Sequence, residues 1–260
     1  SQLTGAGDID LNGFILTVNG SLSQASGSIA TNTTSELILQ GSGNLPGVGF
    51  PISFTGSDMG RLRLNKTGTL ETTSALTITN LDLYNGTFDT NTINLTPGGT
   101  IERRAGTITS TPGGSSYNLL YNITAPINTG PEMPGLATVL NNLTKQGTAV
   151  LTLNQPLVTV NGDLTLTTGT FALGTNSVTL VGNFISNSAL TSSAGSVFTI
   201  TGTCSLSGST APAFNGLTVT GTLTPAVGYR VNGNYIVENS ATVNAGSGTV
   251  TFGGTKIGRA

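Results

Sequence analysis

Val158-Thr159-Val160-Asn161-Gly162-Asp163-Leu164-Thr165-Leu166-Thr167-Thr168-Gly169-Thr170-Phe171 is the stretch that decides how this chain folds. Large apolar residues alternate with Thr through Val158–Val160 and Leu164–Leu166, the period of a strand with one face to a core and one to water. Gly162 and Gly169 break the alternation where the backbone has to turn, and glycine tolerates the dihedral angles that corners demand. The opening phrase, apolar-Thr-apolar-x-Gly, returns as Val178-Thr179-Leu180-Val181-Gly182, Phe198-Thr199-Ile200-Thr201-Gly202 and Leu217-Thr218-Val219-Thr220-Gly221, so that successive starts at Val158, Val178, Phe198 and Leu217 are almost evenly spaced. It also stands at Leu16–Gly20 and Val250–Gly254, and a shorter form, Gly then a small polar then an apolar residue, recurs along most of the chain.

A constant period near 20 in near-identical wording marks a solenoid, whose units bury their apolar side chains only against their neighbours. Three short strands joined by Gly or Asn corners make one coil of a parallel β-helix, each strand pairing with its equivalent one coil away. An antiparallel sandwich or barrel also uses many short strands, but it does not require one phrase at a fixed interval. The sequence therefore predicts an all-β chain, a single parallel β-helix (β-solenoid) with coils of about 20 residues and at most about 13 of them. At about 4.8 Å per strand such a rod measures about 55 to 60 Å.

Composition agrees with this and removes several function classes. Thr, Ser, Asn and Gly dominate the polar positions, which suits strands and tight corners. A mean hydropathy of +0.15 supplies more burial than disordered segments possess. With 8% charged residues and a net charge of -2 there is no basic surface to neutralise a phosphate backbone, so nucleic acid is not expected as a partner. No apolar run approaches the roughly 18 residues of a membrane span, and no signal peptide opens the chain. It begins on Ser1-Gln2-Leu3, directly in the repeat pattern, as an excised or processed piece would. Cys204 has no partner for an internal disulfide and occupies a slot filled by Leu, Phe or Tyr in sister repeats, the place of a small core hydrophobe.

Regularity is high after about residue 150 and looser before 108. The expected organisation is irregular coils over 1–111, a projecting Pro-rich insertion over 112–135 and regular coils over 136–260, in one continuous rod. Two solenoid segments with a kink between them are the alternative. Leu45–Pro51 reads as a short irregular bulge, and Tyr117–Ile123 alternates well enough to form a strand of its own within the insertion.

Catalytic chemistry is poorly provided for. The chain has no His, which removes the commonest general base and metal ligand, and one Cys cannot make a thiolate zinc site. The carboxylates are scattered. Asp8 and Asp10 share a strand face, a spacing seen in paired-carboxylate or calcium sites, but read more simply as solvated residues of an edge coil. Asp82 and Asp89 fall where they can stack on adjacent turns, with no basic cluster beside them. No catalytic residue, cofactor or metal is expected, and the chain is not read as an enzyme. The basic groupings are Arg61 and Arg63 with Lys66, and Arg103-Arg104. Arg61 and Arg63 alternate with Leu62 and Leu64 and so face outward, where they discourage unwanted strand pairing. Tyr84, Tyr229 and Tyr235 read as packing residues. Tyr117 and Tyr121 lie in the insertion, where rings either form a platform or pin the segment to the rod. The candidate set for contact with a glycan or another partner is thus Arg61, Arg63, Arg103, Arg104, Tyr117 and Tyr121. Thr-apolar-Thr triplets invite comparison with ice-binding solenoids, but their starts, at Thr77, Thr107, Thr165, Thr199, Thr218, Thr222 and Thr249, are uneven and do not recur once per coil. An ordered rank is therefore not expected.

The wording of Leu151–Phe171, of Ala245–Thr255, and of Asn118-Leu119-Leu120-Tyr121-Asn122-Ile123 followed by Thr129-Gly130-Pro131-Glu132 resembles the repeats of very large cell-surface proteins of Bacteroidota. These include gliding-motility adhesins exported by the type IX secretion system. More distantly, the chain is similar to filamentous haemagglutinin-type adhesins. The resemblance implies an extracellular, cell-surface location and a structural or adhesive role in a filament, with neighbouring solenoid segments, surface polysaccharide or a substratum as partners. It implies no catalytic residue. The alternative function is a carbohydrate-binding or lyase-like β-helix protein.

Overall fold

The structure, a computed structural model, describes residues 3–5, 7–24, 26–45, 52–56, 58–73, 75–89, 93–135, 139–254 and 257–259. It is all-β, a parallel β-solenoid whose described residues build about 11 turns with equivalent strands roughly 20 residues apart. The chain divides into two compact units, Ser1–Asn118 with Gly130–Glu132, and Leu119–Thr129 with Met133–Ala260.

In the second unit each regular coil contributes a strand to each of three sheets. The first sheet stacks Leu157–Val160, Ser177–Leu180, Val197–Ile200, Gly216–Val219, Tyr235–Val237 and Ile257–Arg259. The second runs from Leu140–Gln146 through Leu164–Leu166, Phe184–Ser186, Thr203–Ser207 and Thr222–Pro225 to Thr242–Val243. The third begins with Ile127–Asn128, Val150–Thr152, Thr170–Ala172 and Ala189–Thr191, and a separate ladder joins Ala213–Phe214, Tyr229–Val231 and Val250–Phe252.

Parallel register turns the sequence period into columns. Val158, Val178, Phe198, Leu217 and Tyr235 form one inward column, Leu151, Phe171 and Leu190 another, and Leu143, Leu164, Phe184 and Leu206 a third. These side chains are buried, while the Thr residues between them are half-exposed. Leu166→Ala is therefore expected to destabilise by about 2–5 kcal/mol and Thr165→Ala by under about 1 kcal/mol, read by denaturant unfolding. Equal losses would mean that the buried face of Leu164–Leu166 has been misassigned.

Aromatic rings continue the core across coils. Phe184, Phe198 and Phe214 pack with centroids 5.5, 5.0 and 6.3 Å apart, and Tyr229, Tyr235 and Phe252 prolong the row. The expected packing role of Tyr229 and Tyr235 holds: both are buried, and their hydroxyls share a hydrogen bond of 3.1 Å, so neither polar end is stranded.

Polar corners are joined in the same coil-to-coil manner. Asn142 Oδ1 accepts from Asp163 N, Asp163 Oδ1 from Asn183 N, and Asn183 Oδ1 from Ser205 N, at 2.8, 2.8 and 3.1 Å. A corner leaves backbone groups outside the ladders, and these side chains satisfy them. Lys145 does the same from inside: it stands in register with Leu166, fully buried, and its Nζ donates to the carbonyl oxygens of Gln146, Gly147 and Thr168 at 3.1, 2.8 and 3.1 Å.

Cys204 is buried at the slot expected for it, paired in register with Leu223, and burial pushes its thiol pKa up to about 11 from 9.0. Between those values the unfolded chain has lost the proton and the folded chain keeps it. Stability must therefore fall as pH rises through this window, by up to about 3 kcal/mol in total. Cys204→Val should flatten the stability profile between pH 9 and 11 relative to the parent chain. Parallel profiles would contradict the buried thiol.

The first unit follows the same plan with longer strands. Ile15–Val18, Glu36–Gln40, Asp58–Glu71, Leu76–Asp89 and Ile93–Arg103 lie in that order in one sheet, and Thr107–Ile108 also pairs with Leu76–Asp89. Ile9–Asp10, Ile29–Ala30 and Phe54–Thr55 form a smaller sheet, and Leu3–Gly5 pairs with Leu22–Gln24. The column Leu16, Leu37, Leu62, Leu81 and Ile101 advances by unequal steps, the longest from Leu37 to Leu62, which is the unevenness that the sequence displays. Asp58–Glu71 and Leu76–Asp89 each cover two faces of a coil, their pairing interrupted between Asn65 and Thr69. The chain bends there through glycine: Gly86 has a φ of 77°, and a Cβ on it would meet the carbonyl oxygen of Lys66.

Asp8 and Asp10 are used locally. Asp8 accepts from the Ser28 hydroxyl at 2.7 Å and Asp10 from the Asn12 amide at 2.9 Å in the turn before Ile15. The bulge expected at Leu45–Pro51 lies, from residue 46 onward, outside the described residues.

The stretch expected to project contains two strands. Tyr117–Asn122 alternates buried and half-exposed residues, and Ile127–Asn128 pairs in parallel with Leu151-Thr152. The alternation of Tyr117, Leu119, Tyr121 and Ile123 is ordinary coil wording with bulkier residues, and Pro126, Pro131 and Pro134 sit between strands, where no ladder needs their missing donor.

Candidate functional site

The outer face of the large sheet in the first unit gathers a cluster of charged residues. Outward positions of successive strands fall in columns: Glu36 opposite Arg61, and Arg63 opposite Asp82, which is opposite Glu102. Arg63 grips Asp82 from Nε at 2.9 Å and Nη2 at 2.8 Å, while Arg61 lies 3.6 Å from both Asp82 and Glu36. One coil on, Arg104 Nε donates to Glu102 at 2.9 Å and its Nη2 to the Tyr84 hydroxyl at 3.2 Å, and that hydroxyl donates to Glu102 at 3.4 Å. The Arg104 and Arg63 guanidiniums lie 3.8 and 4.8 Å from the Tyr84 ring centroid, within cation–π reach. Burial, with Glu102 and Asp82 nearby, raises the Tyr84 pKa, which keeps the phenol protonated and able to donate.

This arrangement corrects several expectations. Asp82 does have a basic cluster beside it, because register brings Arg61 and Arg63 against it from the preceding coil. Arg61 and Arg63 do face outward, but their strand lies inside the sheet between Glu36–Gln40 and Leu76–Asp89. They cannot be guarding an edge; they tie one coil to the next. Tyr84, read as a packing residue, is the aromatic member of the cluster. The signal for it was present in the sequence, since Tyr84 and Arg104 are separated by one coil length. Lys66 does not belong to the cluster: it is buried, and its Nζ donates to the Ser42 carbonyl at 3.1 Å. Burial lowers the pKa of both Lys66 and Lys145, since neither ammonium has bulk water around it.

Arg103 and Arg104, adjacent in sequence, part company for the elementary reason that consecutive strand residues point to opposite faces. Arg103 turns inward, donates from Nε to the Gly106 carbonyl at 2.8 Å, and forms an ion pair through Nη1 with the wholly buried Glu132. Glu132 Oε1 also accepts from the Gly130 amide, and its backbone carbonyl accepts from the Tyr117 hydroxyl, both at 2.8 Å. Burial, with the Glu132 charge, pushes the Tyr117 pKa far up, so the phenol stays a donor. Tyr117 and Tyr121 are both buried, and neither offers an exposed platform. Of the six candidate contact residues, Arg61, Arg63 and Arg104 share one outer face, while Arg103, Tyr117 and Tyr121 serve the interior.

Chemically, the outer cluster sets three guanidiniums against three carboxylates, Glu36, Asp82 and Glu102. Such a face does not attract a strongly anionic polymer from a distance. A ligand that stacked on Tyr84 would first have to move Arg104, whose side chain is 44% exposed, and break its bonds to Glu102 and the Tyr84 hydroxyl. Among the described residues no group of three His, Cys, Asp or Glu side chains is arranged to hold a metal ion. No family model, curated protein or solved structure matches this chain.

Proposed function

We propose that this chain is a structural and adhesive segment of a large extracellular bacterial surface filament, supplying stalk length and a face for attachment. The observation that carries this reading is how the charged residues are used. The groups with which a β-helix enzyme would work on a sugar chain are bound to one another, Glu36 to Arg61 and Arg63 to Asp82 from coil to coil and Arg104 to Glu102 within one coil. Neighbouring solenoid segments of the same polypeptide are its first partners, since coils of one kind extend one another. The cell-surface location and the gliding-motility or type IX context follow from the resemblance of its repeats to Bacteroidota adhesins.

A second reading, a glycan-binding or lyase-like β-helix, draws on the half-buried Tyr84 with its flanking guanidiniums, an aromatic and basic group such a protein would use. Incubation with a panel of neutral and acidic polysaccharides separates the two. Binding without turnover, lost in Arg104→Ala, makes the outer cluster an attachment site of the segment. Turnover of any polysaccharide overturns the structural and adhesive reading.

A further inference from the structure

An Asn-Gly step is where a main chain can react with its own side chain, because glycine puts no Cβ in the way when its nitrogen closes on the carboxamide carbon of the residue before it. The chain has such steps at Asn12, Asn19, Asn85, Asn161, Asn215 and Asn232. Read as dipeptides they are equivalent. The fold makes them unequal.

At most of them the glycine amide is committed to another coil. The Gly13 amide donates to Ser35 Oγ at 3.2 Å, and those of Gly162, Gly216 and Gly233 donate to the carbonyls of Asn141, Ser196 and Asn215 at 2.8, 3.1 and 2.6 Å. The carboxamides are held as well. Asn19 Oδ1 accepts from Gln40 Nε2 at 3.1 Å and Asn232 Oδ1 from Arg230 Nε at 2.5 Å. Asn161 Nδ2 donates to the Leu140 carbonyl at 2.9 Å and Asn215 Nδ2 to the Ser196 carbonyl at 3.4 Å. Closing a ring at any of these sites must first break a hydrogen bond that keeps a polar group of the corner satisfied.

Asn85 is held differently. The Gly86 amide donates to the Oδ1 of Asn85 itself, at 2.9 Å, so the nitrogen already lies beside the carboxamide, with its proton directed at the carbonyl oxygen. Only the oxygen end of the carboxamide can accept that bond, which fixes its orientation. Pairing with Asp58–Glu71 is interrupted here: Asn85 stands opposite Asn65 and Thr87 opposite Thr69, and no residue of that strand is in register with Gly86. Asn85 is exposed, so water reaches it. Holding two reacting groups side by side is what accelerates an intramolecular step.

We propose that Asn85-Gly86 is a site of spontaneous covalent modification, at which the folded chain converts Asn85 to aspartate and isoaspartate with water as the co-reactant. The Gly86 nitrogen bonds to Asn85 Cγ and loses its proton, the Cγ–Nδ2 bond breaks, and the side-chain nitrogen leaves with that proton as ammonia. Water then opens the cyclic imide. Cleavage between the Gly86 nitrogen and Cγ leaves aspartate, and cleavage between that nitrogen and the main-chain carbonyl carbon of Asn85 leaves isoaspartate. No oxidation or reduction takes place. Each conversion adds a negative charge next to Tyr84, and the isoaspartyl product also routes the main chain through the side chain, one carbon longer, at the bend made by Gly86. This goes beyond the filament reading and does not depend on it.

The experiment incubates the whole folded chain in heavy-oxygen water at neutral to mildly alkaline pH, and a parallel sample in urea. Peptide mapping by mass spectrometry, with aspartate and isoaspartate resolved, follows each Asn-Gly step. In the folded chain Asn85 should convert about tenfold or more faster than Asn161, Asn215 and Asn232, with one heavy oxygen in each product, while in urea the rates should draw together. Asn85→Gln, whose longer side chain has to close a larger ring, should keep the parent's unfolding transition and leave no step that outpaces the others. Conversion of Asn85 no faster than the rest in the folded chain overturns the proposal. So does an Asn85 that stays intact in the folded chain while it converts in urea, or conversion without uptake of heavy oxygen.

Discussion

Glu132→Gln is expected to lower the stability of the first unit by about 3–5 kcal/mol, the usual cost of leaving one member of a buried ion pair without its partner. Arg103 is held inside by its own strand, with consecutive residues fixed to opposite faces, so it cannot follow Arg104 to the surface when the carboxylate is gone. Glu132 also orders its own segment through Gly130 N and, by its carbonyl, the Tyr117 hydroxyl. The loss should therefore show as reduced hydrogen-exchange protection in Ile93–Arg103 as well as an earlier urea transition. Replacing both partners with apolar residues, Arg103→Met and Glu132→Leu, should recover most of the loss, because the penalty lies in the unpaired charge. A Glu132→Gln effect under about 1 kcal/mol would mean that water reaches the Arg103 guanidinium, as in an exposed ion pair.

Phe198→Ala should cost about 3–5 kcal/mol, the range for emptying a buried aromatic site. Its ring lies 5.5 Å from Phe184 and 5.0 Å from Phe214, so truncation opens a cavity between rings that belong to three strands of different sheets. In a stack of coils the damage is local, since each unit meets only its neighbours. Amide protection should drop in Ser177–Leu180 and Gly216–Val219 and stay nearly unchanged in Leu140–Gln146. Phe198→Leu, which keeps most of the volume, should cost under about 1.5 kcal/mol. Uniform loss of protection through the whole second unit would show that its coils unfold as one body.

What could be read in the sequence was whatever depends on a residue's near neighbours. Leu164 and Leu166 alternate with Thr165, and burial follows that alternation without exception in this strand. Gly169 stands at a corner, with a φ of 75°. Cys204 sits in a Leu, Phe or Tyr slot and is buried there. Alternation within a strand and the repeat from coil to coil are translations along the chain, and a translation is visible in one dimension.

Columns are another matter, because they join residues whose separation depends on the length of each intervening coil. That length is nearly constant along Val158, Val178, Phe198 and Leu217, but it varies along Leu16, Leu37, Leu62, Leu81 and Ile101, where the coil between Leu37 and Leu62 is the longest. A bend at Gly86 is enough to offset the pairing within one strand. The Arg–carboxylate–Tyr84 cluster and the inward ion pair of Arg103 with Glu132 depend on which residues these coil lengths bring together. By itself the sequence determined the parallel β-solenoid, its corners and the inward or outward sense of most strand residues, since alternation and glycine act locally. Only the tertiary structure decided which side chains of different coils meet, because hydrogen-bonded register between strands converts uneven chain separations into a common spacing of one strand.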